Sequence, residues 1–150
     1  FGQLQKLNSL IIKRNNAANT EPTLTGTIPP ELFNAASLTD LMLYENGLTG
    51  NVPGNVGKPA KLKKLNLRNN QLDGTIGNFQ SGLTQLWLQT NRLTGHLPLS
   101  LTNGVELRVA DNRLQDDFSR HNNVNFHTCD LYGTNDWNCF TGCTASKCNC

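Results

Sequence analysis

Few residues in the sequence have the types and spacing that catalysis needs. His96, His121 and His127 are scattered, and no Ser or Cys lies in a nucleophile motif such as G-x-S-x-G. Asp116 and Asp117 are adjacent, but neighbours on an extended segment point apart, whereas acid/base work needs two carboxylates facing one cleft. Phosphate-binding glycine loops and metal-ligand spacings are missing elsewhere. We therefore expect a protein that is not an enzyme and that holds no cofactor.

The cysteines are the other reactive group, and all five lie in the last 22 residues: Cys129, Cys139, Cys143, Cys148 and Cys150. A short segment with little core of its own is typically closed by disulfides, which favours an oxidising, secreted setting. A zinc site that uses His127 is disfavoured, because the paired Cys-x-x-Cys spacing is missing. Five thiols cannot all pair within the chain, so one is left for an outside partner.

Composition bounds the remaining classes of function. The chain has 150 residues, 37% of them hydrophobic, which suits one domain. A net charge of +2 without a long basic block argues against nucleic acid as a partner. The longest aliphatic stretch is only Leu10-Ile11-Ile12, so the chain is expected to contain no membrane segment.

An internal repeat decides the architecture. Residues 38–50, 62–74 and 83–95 superimpose without a gap, residues 104–114 form a fourth copy, and residues 7–15 begin an earlier one. The repeated asparagines stand at 46, 70, 91 and 112, which are steps of 24, 21 and 21 residues.

The consensus L-x-x-L-x-L-x-x-N-x-L-x-G-x-I-P has a direct physical meaning. Alternation in L-x-L sends leucines inward, Leu43, Leu67 and Leu88 among them, and stacked copies make a parallel sheet. The Asn amide can satisfy backbone groups that would otherwise be buried unpaired. The following glycine permits a bend and the proline ends the strand before the convex connection. Strands are predicted near residues 9–13, 40–44, 64–68, 85–89, 106–110 and 128–132.

The L-T-G-x-I-P signature at residues 24–29, echoed at 48–53 and 93–98, resembles the plant-type leucine-rich repeats of receptor-like kinase ectodomains and polygalacturonase-inhibiting proteins. The resemblance covers about residues 4–137. It implies an extracellular α/β-type leucine-rich-repeat solenoid, a right-handed coil with its sheet on the concave face and 3-10 or irregular convex connections. Scaffolds of this kind serve many unrelated partners.

Two divisions of the chain follow from the repeat. Residues 1–125 are expected to form five turns, the first with a seven-residue insertion. Residues 126–150 are expected to form a sixth turn and a disulfide-tied cap, because 135–139 look like the Asn-x-aromatic-x-Cys closing segment of secreted repeat proteins. Thr134 adds one residue there. At the other end Phe1, Leu4, Leu7 and Leu10 need a cover, which upstream residues or self-association with another copy would supply.

Two outward columns of the sheet are the expected contact surface. The first column, between the strand leucines, holds Ile11, Met42, Asn66, Trp87, Arg108 and Asp130, and the second column, after the second leucine, holds Lys13, Tyr44, Arg68, Gln89, Ala110 and Tyr132. Large aromatic residues and Arg are favoured as interface anchors. We expect Trp87 to be exposed and to matter most, together with Tyr44.

The leading hypothesis is an extracellular module that recognises a protein, peptide or glycan through its concave face. The alternative is a structural subunit of an extracellular fibre or other homo-assembly. A third hypothesis, inhibition of a secreted enzyme, comes only from the family resemblance. Ice binding through threonine ladders is disfavoured, because Asp73 and Gln115 interrupt Thr25, Thr49 and Thr94.

Deletion of seven of the eight residues 16–23 tests the insertion. These residues hold no large apolar side chain and separate the first strand from its L-T-G turn, so we expect a surface loop whose shortening to the single residue of the other copies leaves the fold intact. Circular dichroism and urea unfolding measure this. Loss of cooperative unfolding would mean that the loop packs on the core.

Overall fold

The repeats fold into short parallel strands. The computed structural model describes residues 6–14, 24–54, 61–79, 82–101, 104–115, 128–130 and 148–149, the last two ranges as backbone only. In chain order the strands are β1 (Ser9–Ile11), β2 (Thr25–Thr27), β3 (Asp40–Met42), β4 (Gly47–Thr49), β5 (Lys64–Asn66), β6 (Gln85–Trp87), β7 (Thr94–Gly95), β8 (Glu106–Arg108), β9 (Arg113–Leu114), β10 (Thr128–Asp130) and β11 (Cys148–Asn149).

One main sheet contains seven of these strands in the order β1-β3-β5-β6-β8-β10-β11. All six predicted strands are found at their predicted starts, and every pairing is parallel. Each strand ends two residues earlier than predicted, although backbone hydrogen bonds such as that from Leu43 N–H to Asn66 O (2.9 Å) continue beyond it. The sequence did not predict β11, which lies beside β10 with Cys148 opposite Cys129.

The inward leucines form one continuous core. The middle residues of the strands, Leu41, Leu65, Leu86 and Leu107, are fully buried. Leu43, Leu67 and Leu88 are buried as well, which confirms their predicted inward direction. Burial of such a side chain contributes about 1.5 to 3 kcal/mol, so the stack of leucines is the main favourable term of the fold.

The L-T-G segments add a second element that the sequence did not predict. They form a flank sheet, made of the parallel pairs β2-β4 and β7-β9 and of isolated bridges between Thr49 and Gln71 and between Val52 and Ile76. The expected bend occurs at Gly26, Gly50 and Gly95, whose φ values are 80°, 78° and 75°. Gly74 is needed for a different reason, because a Cβ there would collide with the Asn51 side chain.

The convex connection of the first repeat is a short 3-10 helix, Pro30–Asn34, which follows Pro29 as expected. It carries the buried Phe33, whose ring centre lies 6.2 Å from that of Phe79 in a later turn. Within the described residues no helix is long and apolar enough to cross a bilayer. Residues 16–23 and 116–127, which include the insertion, lie outside the described part.

The repeated asparagines bind successive turns together, as predicted. Asn70 donates hydrogen bonds from Nδ2 to the carbonyl oxygens of Leu43 (2.8 Å) in the preceding turn and of Leu67 (2.9 Å) in its own turn. Its Oδ1 accepts from Leu48 N–H (3.1 Å), also in the preceding turn. The same pattern is repeated at Asn46, Asn91 and Asn112.

Asn70→Ala tests this ladder. Loss of the amide leaves the Leu48 N–H without its partner inside the stack, and an orphaned buried group costs about 1 to 3 kcal/mol. The carbonyls of Leu43 and Leu67 each lose one hydrogen bond but still accept from Asn46 and Asn91. We expect the free energy of unfolding to fall by about 3 kcal/mol in urea titrations. Gln71→Ala, which trims an exposed neighbour, is the control and should change it by less than about 0.5 kcal/mol. Equal losses of unfolding free energy in Asn70→Ala and Gln71→Ala would contradict a stabilising role for the asparagine ladder.

The residue directly before each repeated asparagine has a left-handed backbone conformation. Glu45, Asn69, Thr90 and Asp111 have φ values of 58°, 54°, 58° and 53°. These residues turn the chain out of the sheet, and the N–H groups of the first three still reach the next turn, as Thr90 does to Ala110 O at 3.0 Å. The left-handed region is accessible to Asn but is strained for a β-branched residue.

Thr90→Asn should therefore stabilise the fold. The exposed Thr90 side chain has no packing to lose, and relief of left-handed strain is worth on the order of 1 kcal/mol. Thermal and urea unfolding measure the gain. Thr25→Asn, at an exposed position of β2 with an extended backbone, is the matched control. A similar gain in both variants would rule out backbone strain as the cause.

Candidate functional site

Parallel register aligns the first column on the concave face, the outward side of the main sheet. Ile11 is paired with Met42, Met42 with Asn66, Asn66 with Trp87, and Trp87 with Arg108. Because neighbouring strands lie about 4.8 Å apart, the side chains of adjacent turns are within contact distance. The second column follows the first, two residues later along each turn.

Tyr44 is the centre of one cluster. The Cζ atom of Arg68 lies 4.9 Å from the centre of the tyrosine ring, and the Nζ atom of Lys13 lies 6.0 Å from it. Glu45 accepts a 2.9 Å hydrogen bond from the Arg68 guanidinium. Three consecutive members of the second column are thus joined by cation–π contacts, which are worth about 0.5 to 1 kcal/mol each at exposed sites.

Trp87 is the centre of a second cluster. The Arg108 Cζ atom lies 4.6 Å from the centre of the indole ring. Arg108 is held there by Glu106, whose Oε1 accepts from Nε (3.0 Å) and Nη2 (2.8 Å). Glu106 in turn accepts a 2.9 Å hydrogen bond from Gln85 Nε2. The strand-neighbour residues therefore fix the position of the cation above the ring.

Exposure along the columns differs from the sequence prediction at three positions. Trp87 is half-buried rather than exposed, because Arg108 covers its ring. Asn66 lies in the first column but is only 6% exposed, and its Oδ1 accepts from Arg68 N–H (3.2 Å). Ala110 is also buried. Ile11 is 58% exposed, so with the half-buried Met42 it makes the apolar end of the face.

Two polar atoms of this face have no hydrogen-bond partner. Trp87 Nε1 and Gln89 Oε1 are enclosed by neighbouring atoms, and neither is paired. In native proteins most buried polar groups are paired, so such groups need an explanation. One is a donor and the other an acceptor, and both belong to predicted surface residues.

Among the remaining candidate residues only His96 lies in the described part of the chain with its side chain. His96 lies exposed in its turn, as predicted. No cluster of three or more His, Cys, Asp or Glu side chains that could hold a metal occurs among the described residues. Asp116, Asp117, His121, His127 and Tyr132 lie outside those residues, as do the side chains of the cysteines and of Asp130.

Sequence reasoning missed the groups that hold the cations in place. Glu106, Gln85 and Glu45 lie beside the two columns rather than in them, so the column pattern did not single them out. A Glu two residues before Arg108 on the same strand face is the signal that could have found the first of them, because side chains i and i+2 point to the same side.

The fold and the aligned columns define a leucine-rich-repeat scaffold. The Leucine Rich Repeat family model matches residues 61–81. A solved plant peptide hormone receptor, RGFR1 in complex with RGF2, has a similar structure, with a TM-score of 0.68 and 25% sequence identity. No curated protein matches the chain.

The chain has the leucine-rich-repeat solenoid fold, and its structure is similar to that of this plant receptor. The structural match covers 91% of this chain but 26% of the receptor chain, so the chain corresponds to a minor part of that receptor's length.

Paired substitutions at positions 87 and 88 test the directions of the side chains. Leu88→Ala empties a core position and should cost about 2 to 5 kcal/mol. Trp87→Ala removes a half-buried side chain and a cation–π contact, so we expect a loss of only about 1 kcal/mol. Urea unfolding compares the two. Unfolding of the chain by Trp87→Ala would contradict the outward assignment.

Proposed function

We propose that this chain is a non-catalytic, extracellular recognition module that binds a peptide along the two columns of its concave face. The observation that carries the proposal is the pair of aromatic–cation clusters, at Tyr44 and Trp87, on one face of a closely hydrogen-bonded sheet. Half-buried aromatic rings flanked by Arg supply large contact area with little loss of side-chain freedom, and they are typical anchors of interfaces.

A peptide fits this face better than a glycan or a folded protein does. From Ile11 to Arg108 the first column spans five strands, so a ligand along it would meet apolar, aromatic and charged side chains in turn. This alternation suits the mixed side chains of a peptide in extended form. The solved neighbour is a plant peptide hormone receptor in complex with RGF2, which supports the same class of ligand for this chain.

The extracellular setting is part of the proposal. Similarity to a receptor ectodomain supports it, and so does the cluster of five cysteines at the end of the sequence. Self-association into a fibre and inhibition of a secreted enzyme remain the competing functions.

Selection from a random dodecapeptide display library on the immobilised full chain tests the proposal. Selected peptides should bind the wild type, and Tyr44→Ala and Trp87→Ala should each weaken that binding about tenfold or more, because truncation of an anchor costs about 1 to 2 kcal/mol or more. Gln71→Ala, on the flank sheet, is the control and should leave binding unchanged.

Two outcomes would contradict peptide recognition. Failure to select any peptide is one, and selected peptides that are insensitive to both aromatic substitutions are the other. Sedimentation velocity of the purified chain distinguishes peptide recognition from the competing assembly function. A structural subunit should form oligomers whose size grows with protein concentration.

A further inference from the structure

We propose that Trp87 and Gln89 hold one peptide unit of the ligand between them, with Trp87 Nε1–H donating to its carbonyl oxygen and Gln89 Oε1 accepting from its N–H. This inference rests on the proposed function and names the part of the ligand that the site recognises. The site would then bind the main chain of the peptide at one position, whatever the ligand side chain at that position.

The starting observation is the missing partners of the two atoms. Trp87 Nε1 and Gln89 Oε1 are both buried and unpaired, whereas the polar groups around them are satisfied. Arg108 is bonded twice to Glu106, and Arg68 is bonded to Glu45. A buried unpaired group is unfavourable, so a ligand that pairs both atoms regains free energy that the unliganded face lacks.

Geometry indicates which ligand group can pair with both atoms. Trp87 and Gln89 are two residues apart on one turn, in adjacent columns of one face, so their Cα atoms are roughly 6.6 Å apart. A trans peptide unit directs its carbonyl oxygen and its N–H to opposite sides. A chain that runs across the strands between the two columns therefore presents the oxygen to Trp87 and the N–H to Gln89.

Access to these atoms requires a side chain to move. The Arg108 guanidinium lies over the Trp87 ring, and 42% of the Arg108 side chain is exposed. This long side chain can change rotamer without a change in the backbone, provided that its two hydrogen bonds to Glu106 break. The ligand would displace it and take its place beside the indole.

The arrangement makes one position of the ligand selective against residues without an N–H. Proline lacks the donor that Gln89 needs, and an ester bond in place of the amide lacks it too. The selectivity should depend on the acceptor at position 89, because proline and the ester both keep the carbonyl oxygen that accepts from the Trp87 indole N–H.

The test uses the best dodecapeptide from the library and a series of its analogues in which each amide in turn is replaced by an ester. One ester should weaken binding to the wild type about tenfold, and Gln89→Leu should reduce that sensitivity to about twofold. Trp87→Phe should weaken binding of the all-amide peptide but keep most of the ester sensitivity, because the N–H that the ester lacks pairs with Gln89. Gln89→Glu keeps an acceptor and should retain the sensitivity. Gln71→Ala is the matched control and should behave as the wild type.

Unfolding without peptide provides an independent measurement. Gln89→Leu removes a group that has no partner, so it should not lower the midpoint of urea unfolding. A marked fall with Gln89→Leu would overturn the inference, because it would reveal a structural partner for Oε1.

The outcomes separate the inference from the proposed function. If peptides bind through Tyr44 and Trp87 but no ester position is coupled to Gln89, the inference alone is overturned. If no peptide binds, the proposed function fails and the inference fails with it. A single ester-sensitive position whose sensitivity is lost in Gln89→Leu and kept in Gln89→Glu supports both the inference and the proposed function.

Discussion

The structure depends on how a coiled backbone can satisfy the polar groups that its turns bury. The leucine stack excludes water, so the carbonyls and N–H groups on the inner side of each turn need partners from the protein itself. One asparagine in each turn supplies both kinds, because a side-chain amide donates and accepts at once. Asn70 bonds to Leu43 O, Leu67 O and Leu48 N–H, and so fixes the preceding turn relative to its own. The spacing of the strands, and hence the alignment of every surface column, follows from this bond set.

The candidate binding face is a consequence of that alignment. Tyr44 and Arg68, or Trp87 and Arg108, are more than twenty residues apart in the chain, and each pair meets because successive turns are in register. The contacts are thus properties of the stack and not of any one repeat. A rigid sheet holds the rings in place before a ligand arrives, which reduces the entropy that binding must overcome.

The fold was predictable because the sequence repeats. The details of the site were not predictable from the repeat. The inward leucines and the asparagines occupy fixed places in every copy, so their burial and bonding could be inferred from the pattern alone. The flank sheet could not, because its strands are two or three residues long and contain glycine, which is depleted in strands. The burial of Asn66 and the tether between Glu106 and Arg108 depend on side-chain lengths in adjacent turns, which a column of sequence letters does not encode.

The asparagine bonds have a direction, and this bears on how such a chain can grow. Asn46, Asn70, Asn91 and Asn112 each reach the turn before their own through both the donor and the acceptor atoms of the amide. A duplicated repeat therefore contains the asparagine that bonds it to the preceding repeat. The asparagine of the following repeat bonds in turn to the duplicated one. Lengthening by gene duplication requires no newly evolved interface, only a copy of the segment that already contains the asparagine. The same directionality means that an altered asparagine damages its predecessor in the chain, so harmful effects are expected one turn upstream of the altered residue.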